Sequence, residues 1–151
     1  YWDGGFTANP AIYPLLYECD TPDLLMVLLN PLQHEHAPRS AAEIATRSME
    51  LGFSTTFLRE MRMIAHARQF IAERPRWSPI GRLERRLLHE RFHLIDAPEL
   101  GDAGSASKLD ATASSLLRLR ELGRARTEAW LQTHAHGVGR RETIDVGTLF
   151  L

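Results

Sequence analysis

Two short segments of the chain combine residues of the right type and spacing for catalysis. In the first, Asp3-Gly4-Gly5, a carboxylate precedes two glycines, whose backbone freedom permits a tight turn. The second, His89-Glu-Arg-Phe-His93, matches the His-Glu-x-x-His pattern of zinc hydrolases. On a helix, two histidines four residues apart can bind one zinc ion, with the glutamate as general base. The sequence therefore contains a candidate carboxylate base and a candidate metal site.

The residues in and after the second segment weaken the zinc hypothesis. Arg91 places a cation between the two histidines, and Asp96 stands where the extended motif has glycine. His93 also opens an apolar segment with strand character, which would remove it from the helix. We therefore predict no metal site, and zinc hydrolysis is the third of three functional hypotheses.

The first segment has a wider context. Asp3-Gly4-Gly5 is followed by Asn9-Pro10, and together they resemble the second signature of patatin-like phospholipases. The order of elements that follows, a short helical segment, an apolar strand and long helices, also agrees with this family. The segment Leu119–Leu131 looks like the C-terminal helix of bacterial members. The resemblance therefore covers most of the chain.

This resemblance implies a function and a set of site residues. Patatin-like enzymes hydrolyse carboxylic esters with a serine–aspartate dyad, so Asp3 would be the base that accepts the serine proton. Gly4 and Gly5 would hold the turn, while Asn9 either shapes the site or caps a helix. No metal or organic cofactor is implied. The partner would be a lipid or another acyl-ester substrate, met in solution or at a membrane surface.

Two parts of the family's active site are absent from the sequence. They are the Gly-x-Ser-x-Gly nucleophile elbow and the glycine-rich oxyanion loop, both N-terminal to Asp-Gly-Gly in family members. The closest segment, Gly52-Phe-Ser-Thr-Thr56, ends in threonine and lies in a helical pattern. The chain also begins at Tyr1 without an initiator methionine. We therefore expect a C-terminal portion of the enzyme that is inactive alone, with Asp3 partly buried against Trp2 and Phe6.

Capping and periodicity predict the elements that position these residues. Asn9-Pro10 predicts the start of a short helix, with Asn9 as N-cap. The apolar run Asp23–Asn30 predicts a strand inside a parallel sheet that is covered on both faces. Ser40 and Glu43 fit a capping box, which predicts a long helix to about Glu73, divided at Gly52. Its predicted buried stripe is Phe57, Met61, Ile64 and Ile71.

The second half of the chain predicts further helices and one more strand. A short amphipathic helix is expected over 82–92, a strand over His93–Asp96 and a flexible linker over 101–107. The last helix is predicted over 109–133 and ends before Gly137 and Gly139. Its apolar residues along one side are Leu116, Leu119, Leu122 and Ala129.

These elements predict an α/β protein. The expected fold is the C-terminal part of a three-layer α/β/α patatin-like fold, helix-rich with few, mainly parallel strands. Residues 1–100 would form the C-terminal portion of the catalytic domain, and 101–108 a linker. Residues 109–151 would form a helix and tail that pack on the same domain.

Composition limits the other possibilities. The 151 residues carry a formal net charge of −1, so we expect no nucleic-acid partner. The single cysteine, Cys19, excludes an intramolecular disulfide. No apolar run approaches the roughly 20 residues of a membrane span, and we expect a cytoplasmic or peripheral membrane location. The main alternative function is a non-catalytic helical interaction module that binds a partner through its amphipathic helices.

Overall fold

The fold combines helices with a small parallel sheet. The computed structural model describes residues 1, 3–34, 36–75, 77–100 and 110–151, and only the backbone at residue 6. Within these ranges a helix-rich chain surrounds two strands, which is compatible with the α/β class. The strands are β1 (Asp23–Leu28) and β2 (Arg91–Asp96). The helices are α1 (Tyr13–Glu18), α2 (Ala41–Ala72), α3 (Arg82–His89), α4 (Ala113–His134) and α5 (Val146–Phe150). The predicted linker lies outside the described residues.

Helix α2 forms as its sequence predicts, except at one residue. The capping box is confirmed, because the Ser40 hydroxyl accepts from the Glu43 N–H and the Glu43 carboxylate accepts from the Ser40 N–H. The predicted break at Gly52 is wrong, since the helix continues through it. A single glycine costs a helix only about 1 kcal/mol. The predicted stripe is buried, and it consists of Phe57, Met61, Ile64 and Ile71.

Strands β1 and β2 pair in parallel, with Asp23 opposite Arg91 and Leu28 opposite Asp96. Parallel neighbours need a long crossover connection, and here it contains α2 and α3. The predicted second strand is confirmed, but it begins at Arg91 rather than at His93.

The two faces of β1 differ. Leu24, Met26 and Leu28 belong to the main hydrophobic core, together with residues of α2. On the other face Leu25 and Val27 are 49% and 57% exposed. The prediction that both faces are covered is therefore wrong for β1 in this chain. Helix α4 contacts β2, and on that face it is the β2 side chains that are buried.

Helix α4 ends as predicted and buries its predicted stripe only in part. Leu116 is 54% exposed and Ala129 is exposed, whereas the buried residues are Ser115 and Trp130. The helix stops at His134, and Gly139 follows with φ of 76°, a left-handed conformation that favours glycine. The other two residues of the predicted stripe, Leu119 and Leu122, are half-buried, so the inward face of α4 runs through them from Ser115 to Trp130.

Helix α5 was not predicted from the sequence. The Asp145 carboxylate accepts from the Thr148 N–H and caps its start. Val146 and Phe150 are buried, and the Phe150 ring meets Phe57 of α2 edge to face, with centroids 5.7 Å apart. The C-terminal segment therefore closes the core over α2. None of the helices in the described ranges is both long enough and apolar enough to cross a membrane.

Candidate functional site

The Asp-Gly-Gly segment forms the predicted turn. Asp3 has extended backbone angles, and its Oδ1 accepts from the Gly5 N–H at 2.9 Å, which caps a 3-10 turn over Gly4–Phe6. The Asp3 side chain is exposed, so the expected partial burial of this residue is not found in this chain. The turn therefore presents a carboxylate to solvent in one fixed orientation.

The two glycines of the turn play different parts. A Cβ at Gly5 would lie 3.3 Å from Asp3 Oδ1, so a side chain there would crowd the carboxylate. At Gly4 a Cβ would meet nothing within 4 Å. The structure therefore gives a reason for glycine at Gly5 and none for glycine at Gly4.

The segment after the turn is held by α2 rather than by Asn9. Asn9 is exposed and joined to Pro10 by a cis peptide bond, and α1 begins only at Tyr13. The prediction that Asn9 caps this helix is wrong. The N–H groups of Ile12 and Tyr13 donate to Glu60 Oε2 at 2.8 and 3.2 Å. Because Glu60 lies far away in the sequence, no local pattern identifies it as the cap.

The second candidate segment does not form a zinc site. His89 is the last residue of α3 and is exposed, whereas His93 lies within β2 and is 1% exposed. The two histidines therefore do not share one helix face, which is the geometry that the His-Glu-x-x-His motif requires. Within the described ranges, no group of three or more His, Cys, Asp or Glu side chains could hold a metal ion.

The structure instead brings together an ionic cluster that the sequence did not reveal. Asp23, at the start of β1, accepts from Arg91 Nε at 2.9 Å and from Arg91 Nη2 at 2.6 Å. Its Oδ1 also accepts from the Gly139 N–H at 2.9 Å and lies 3.0 Å from His93 Nε2. His93 Nδ1 lies 3.0 Å from Thr143 Oγ1. We call these five residues the Asp23 cluster.

The protonation of the Asp23 cluster follows from these contacts. The paired guanidinium of Arg91 holds the pKa of the Asp23 carboxyl well below its usual range, with help from the Gly139 N–H and from His93. An ionised carboxylate only accepts, so His93 Nε2 must carry a proton and donate to it. In the neutral ring Nδ1 then accepts from the Thr143 hydroxyl.

A second set of contacts supports the cluster from α2. Arg68 donates to the carbonyl of Leu87 at 2.8 Å and to the carbonyl of Glu90, and it pairs with Glu142 at 2.9 Å. Its guanidinium also lies 5.1 Å from the centre of the Phe92 ring. Arg68 thereby joins the end of α3, the start of β2 and the loop that carries Thr143.

The Asp23 cluster has the order hydroxyl, imidazole, carboxylate, which in hydrolases activates a nucleophile. Its surroundings favour anchoring instead. The ring of His93 is buried, and the N–H groups of Thr143 and Ile144 donate to the carbonyl of Phe92. The backbone N–H groups next to the hydroxyl are therefore not available to stabilise an oxyanion. The cluster ties the loop after α4 to both strands.

Comparisons with known proteins found no match. No protein-family model, curated protein sequence or solved structure matches the chain. Asp3 on its turn stays the catalytic candidate that the sequence predicts, and the contacts of the Asp23 cluster are those of an anchoring site. The sequence signal for the cluster was weak, because Asp23, Arg91 and His93 are single polar residues in apolar strands and the other two members lie in a distant loop.

Proposed function

We propose that this chain supplies the catalytic base of a patatin-like acyl hydrolase. The observation that supports this most is the conformation of Asp3, whose carboxylate is exposed and oriented by the Gly5 N–H at 2.9 Å. Only Oδ1 is engaged in this hydrogen bond, and Oδ2 has no hydrogen bond to the described residues. An oriented carboxylate oxygen with an open side is what a base needs in order to receive a hydroxyl proton.

The reaction would use a serine that lies outside these 151 residues, on a Gly-x-Ser-x-Gly elbow. Asp3 takes the hydroxyl proton while the serine oxygen attacks the ester carbonyl. The alcohol leaves with that proton, and an acyl-serine remains. Water then attacks the acyl-serine, Asp3 takes a proton from the water, and the serine oxygen recovers it as the acid is released.

The fold agrees with this proposal at a coarse level. Strands β1 and β2 are parallel, α2 covers one face of the sheet, and α4 contacts β2 on the other. This is the arrangement expected of part of a three-layer α/β/α domain. The exposed Leu25 and Val27 on β1 lie on a face that further elements would cover in a complete domain. We infer a carboxylic ester of a lipid or a related acyl compound as the substrate.

The test uses the longest open reading frame that contains this chain. We expect it to encode a glycine-rich loop and then Gly-x-Ser-x-Gly before Tyr1, and its product to hydrolyse p-nitrophenyl esters. Asp3→Asn should lower kcat by about 10²–10⁴-fold, the usual contribution of a general base. The control is Asp96→Asn, because Asp96 is also an exposed aspartate, at the end of β2.

Three results would contradict the proposal. One is a reading frame that starts at Tyr1 with no such motif upstream. Another is full activity in the Asp3→Asn variant of the complete protein. The third is esterase activity of the 151-residue chain that persists through purification and through Asp3→Asn, because the base would then lie elsewhere.

A second candidate function is a helical interaction module. The observation that favours it is a set of large apolar side chains that α2 exposes near its N-terminus, namely Ile44, Met49 and Leu51, which are 52%, 58% and 49% exposed. Thermal unfolding of the isolated chain distinguishes the two functions. Cooperative unfolding without aggregation favours the module. Poor folding with binding of an apolar dye favours a portion of a larger catalytic domain.

A further inference from the structure

A cleft of about 600 Å³ lies between the end of α1 and helix α3. Its lining is mainly apolar, with Leu16 and Tyr17 from α1 and Leu83 from α3. The volume is within the range of pockets that hold small molecules, roughly 300–1,000 Å³. Helix α3 also contributes four residues with cationic or titratable nitrogen groups, which are Arg82, Arg85, Arg86 and His89.

One of these side chains is part of the fold. Arg86 Nη2 donates to the carbonyl of Thr21 at 2.9 Å, and Arg86 Nε lies 3.0 Å from Glu90 Oε2. Glu90 is only 2% exposed, and burial raises its pKa. The pairing with Arg86 offsets that desolvation and fixes α3 to the loop after α1. This end of the cleft is therefore held by specific contacts.

The other three side chains have no such partner. Arg82, Arg85 and His89 are exposed and make no hydrogen bond or ion pair with any residue in the described part of the chain. Among the described residues that line the cleft, Asp20 is the one acidic residue. Two guanidinium groups against one carboxylate leave this part of the cleft positively charged, next to an apolar wall.

We propose that the α1–α3 cleft binds a single-chain amphiphile with an anionic head group. The head lies between Arg82 and Arg85, whose planar guanidinium groups match the oxygens of a phosphate or carboxylate. The alkyl tail lies against Leu16 and along Tyr17 and Leu83, and it removes from water the apolar surface of Tyr17 and Leu83, which are exposed. This inference does not depend on the proposed hydrolase function, and Asp3→Asn should leave the binding unchanged.

The test is isothermal titration calorimetry of the purified chain with dodecyl phosphate below its critical micelle concentration, which gives the dissociation constant. We expect saturable one-to-one binding that weakens with added salt, because the head-group contacts are screened. The double variant Arg82→Gln/Arg85→Gln should bind at least about tenfold more weakly, because each charged hydrogen bond that is lost contributes to affinity. The matched control is Arg59→Gln/Arg62→Gln, an exposed arginine pair with the same spacing on α2, and it should change the dissociation constant less than twofold.

Two further ligands each lack one half of the proposed ligand, and a third presents a membrane surface. Inorganic phosphate lacks the tail, and dodecyl maltoside lacks the charge, so both should bind much more weakly than dodecyl phosphate. Phosphatidylserine vesicles test a membrane surface in place of a single molecule. If inorganic phosphate or dodecyl maltoside binds as tightly as dodecyl phosphate, the proposal is wrong. Binding to vesicles without binding of monomeric dodecyl phosphate also overturns it.

Cys19 provides a readout inside the cleft. It is the only cysteine of the sequence, it is exposed, and it lines the cleft. Dodecyl phosphate should slow its alkylation by uncharged N-ethylmaleimide, and this protection should disappear in Arg82→Gln/Arg85→Gln. Tyr17→Ser should weaken protection through the tail side. The absence of protection in the wild-type chain, or equal protection in the double variant, contradicts the proposal.

Discussion

Helices α2 and α4 are joined to the rest of the fold in different ways. Helix α2 contacts α3 and α5 and buries residues along much of its length, from Glu50 to Ile71. Helix α4 contacts β2 and the turn that follows it, and it buries only Ser115 and Trp130. Leu116 and Leu117 of α4 are at least half exposed. More elements of the fold therefore pack against α2 than against α4.

This difference shows that an apolar stripe favours packing but does not determine which elements pack on it. A stripe gives a helix a face that gains free energy when another element covers it. In α2 that face meets both strands and α5 in one core. In α4 the face that carries Trp130 contacts β2, and Leu119 and Leu122 on it are only half-buried. We therefore expect substitutions in α2 to affect the stability of the whole chain and those in α4 to act locally.

The largest expected effect is that of Phe57→Ala. Phe57 is 1% exposed, and its ring packs against Phe150. Removal of a buried aromatic ring should lower the free energy of unfolding by about 3–5 kcal/mol. The measurement is urea unfolding followed by circular dichroism. The matched change in α4, Leu116→Ala, should cost about 0.5 kcal/mol or less, because Leu116 is 54% exposed.

Similar costs for Phe57→Ala and Leu116→Ala would contradict the distinction between the helices. They would mean that the outer face of α4 packs on something in solution, such as a second copy of the chain. The concentration dependence of the urea midpoint tests that possibility, because self-association makes unfolding depend on protein concentration.

Trp130→Ala should have the next largest effect and should act mainly on α4. Trp130 is 9% exposed, and its ring centroid lies 6.0 Å from that of His93 in an edge-to-face contact. Its loss should cost about 3 kcal/mol at the site. Hydrogen exchange should show lost protection along α4 with protection retained in α2. Equal loss of protection in both helices would instead show that they unfold as one cooperative unit.

Asp23→Asn should loosen the loop after α4 on the sheet, while the backbone hydrogen bonds of the loop to the Phe92 carbonyl remain. The substitution weakens the contacts of Asp23 with Arg91, His93 and Gly139, and partial solvent screening limits the expected cost to about 1–3 kcal/mol. The wild-type pKa of Asp23 is depressed, so its stabilising contribution is present at neutral pH. That contribution falls once the pH drops below about 4, the range in which the unfolded carboxyl takes up its proton.

The measurement is the free energy of unfolding of both proteins between pH 7 and pH 3. Burial raises the pKa of Glu90, so its contribution has the opposite sign, and it largely cancels in the difference between the two proteins. That difference should be constant near neutral pH and should shrink below about pH 4. A difference that grows in acid would show that Asp23 does not stabilise the fold as an anion.

Local signals in the sequence identified the elements but not the contacts between them. Ser40 and Glu43 are three residues apart, so their reciprocal capping was predictable. The N–H of Ile12 is instead capped by Glu60, 48 residues away, and local spacing pointed to Asn9. The short helix α5 escaped prediction because its burial depends on contact with Phe57.

The same limit applies to the candidate sites. The Asp-Gly-Gly turn is local, and its geometry follows from a hydrogen bond between residues two apart. Asp23 and Arg91 are 68 residues apart, and His93 and Thr143 are 50 apart, so their contacts follow only from the parallel register and the path of the C-terminal loop. The local motif located the exposed carboxylate, whereas the Asp23 cluster could be located only from the fold.

The smallest expected effect gives the finest comparison of α2 and α4, because each has an interior glycine with open space where a Cβ would lie, at Gly52 and at Gly123. Alanine at either position should favour the helical state by about 0.5–1 kcal/mol. In Gly52→Ala the gain should appear as a higher urea midpoint, because α2 unfolds with the core. In Gly123→Ala it should appear mainly as slower hydrogen exchange within α4, with little change in the midpoint, because α4 can open while the core stays folded. Equal shifts of the urea midpoint in the two variants would show that α4 unfolds together with α2, and its single buried aromatic anchor would then be sufficient to couple it to the core.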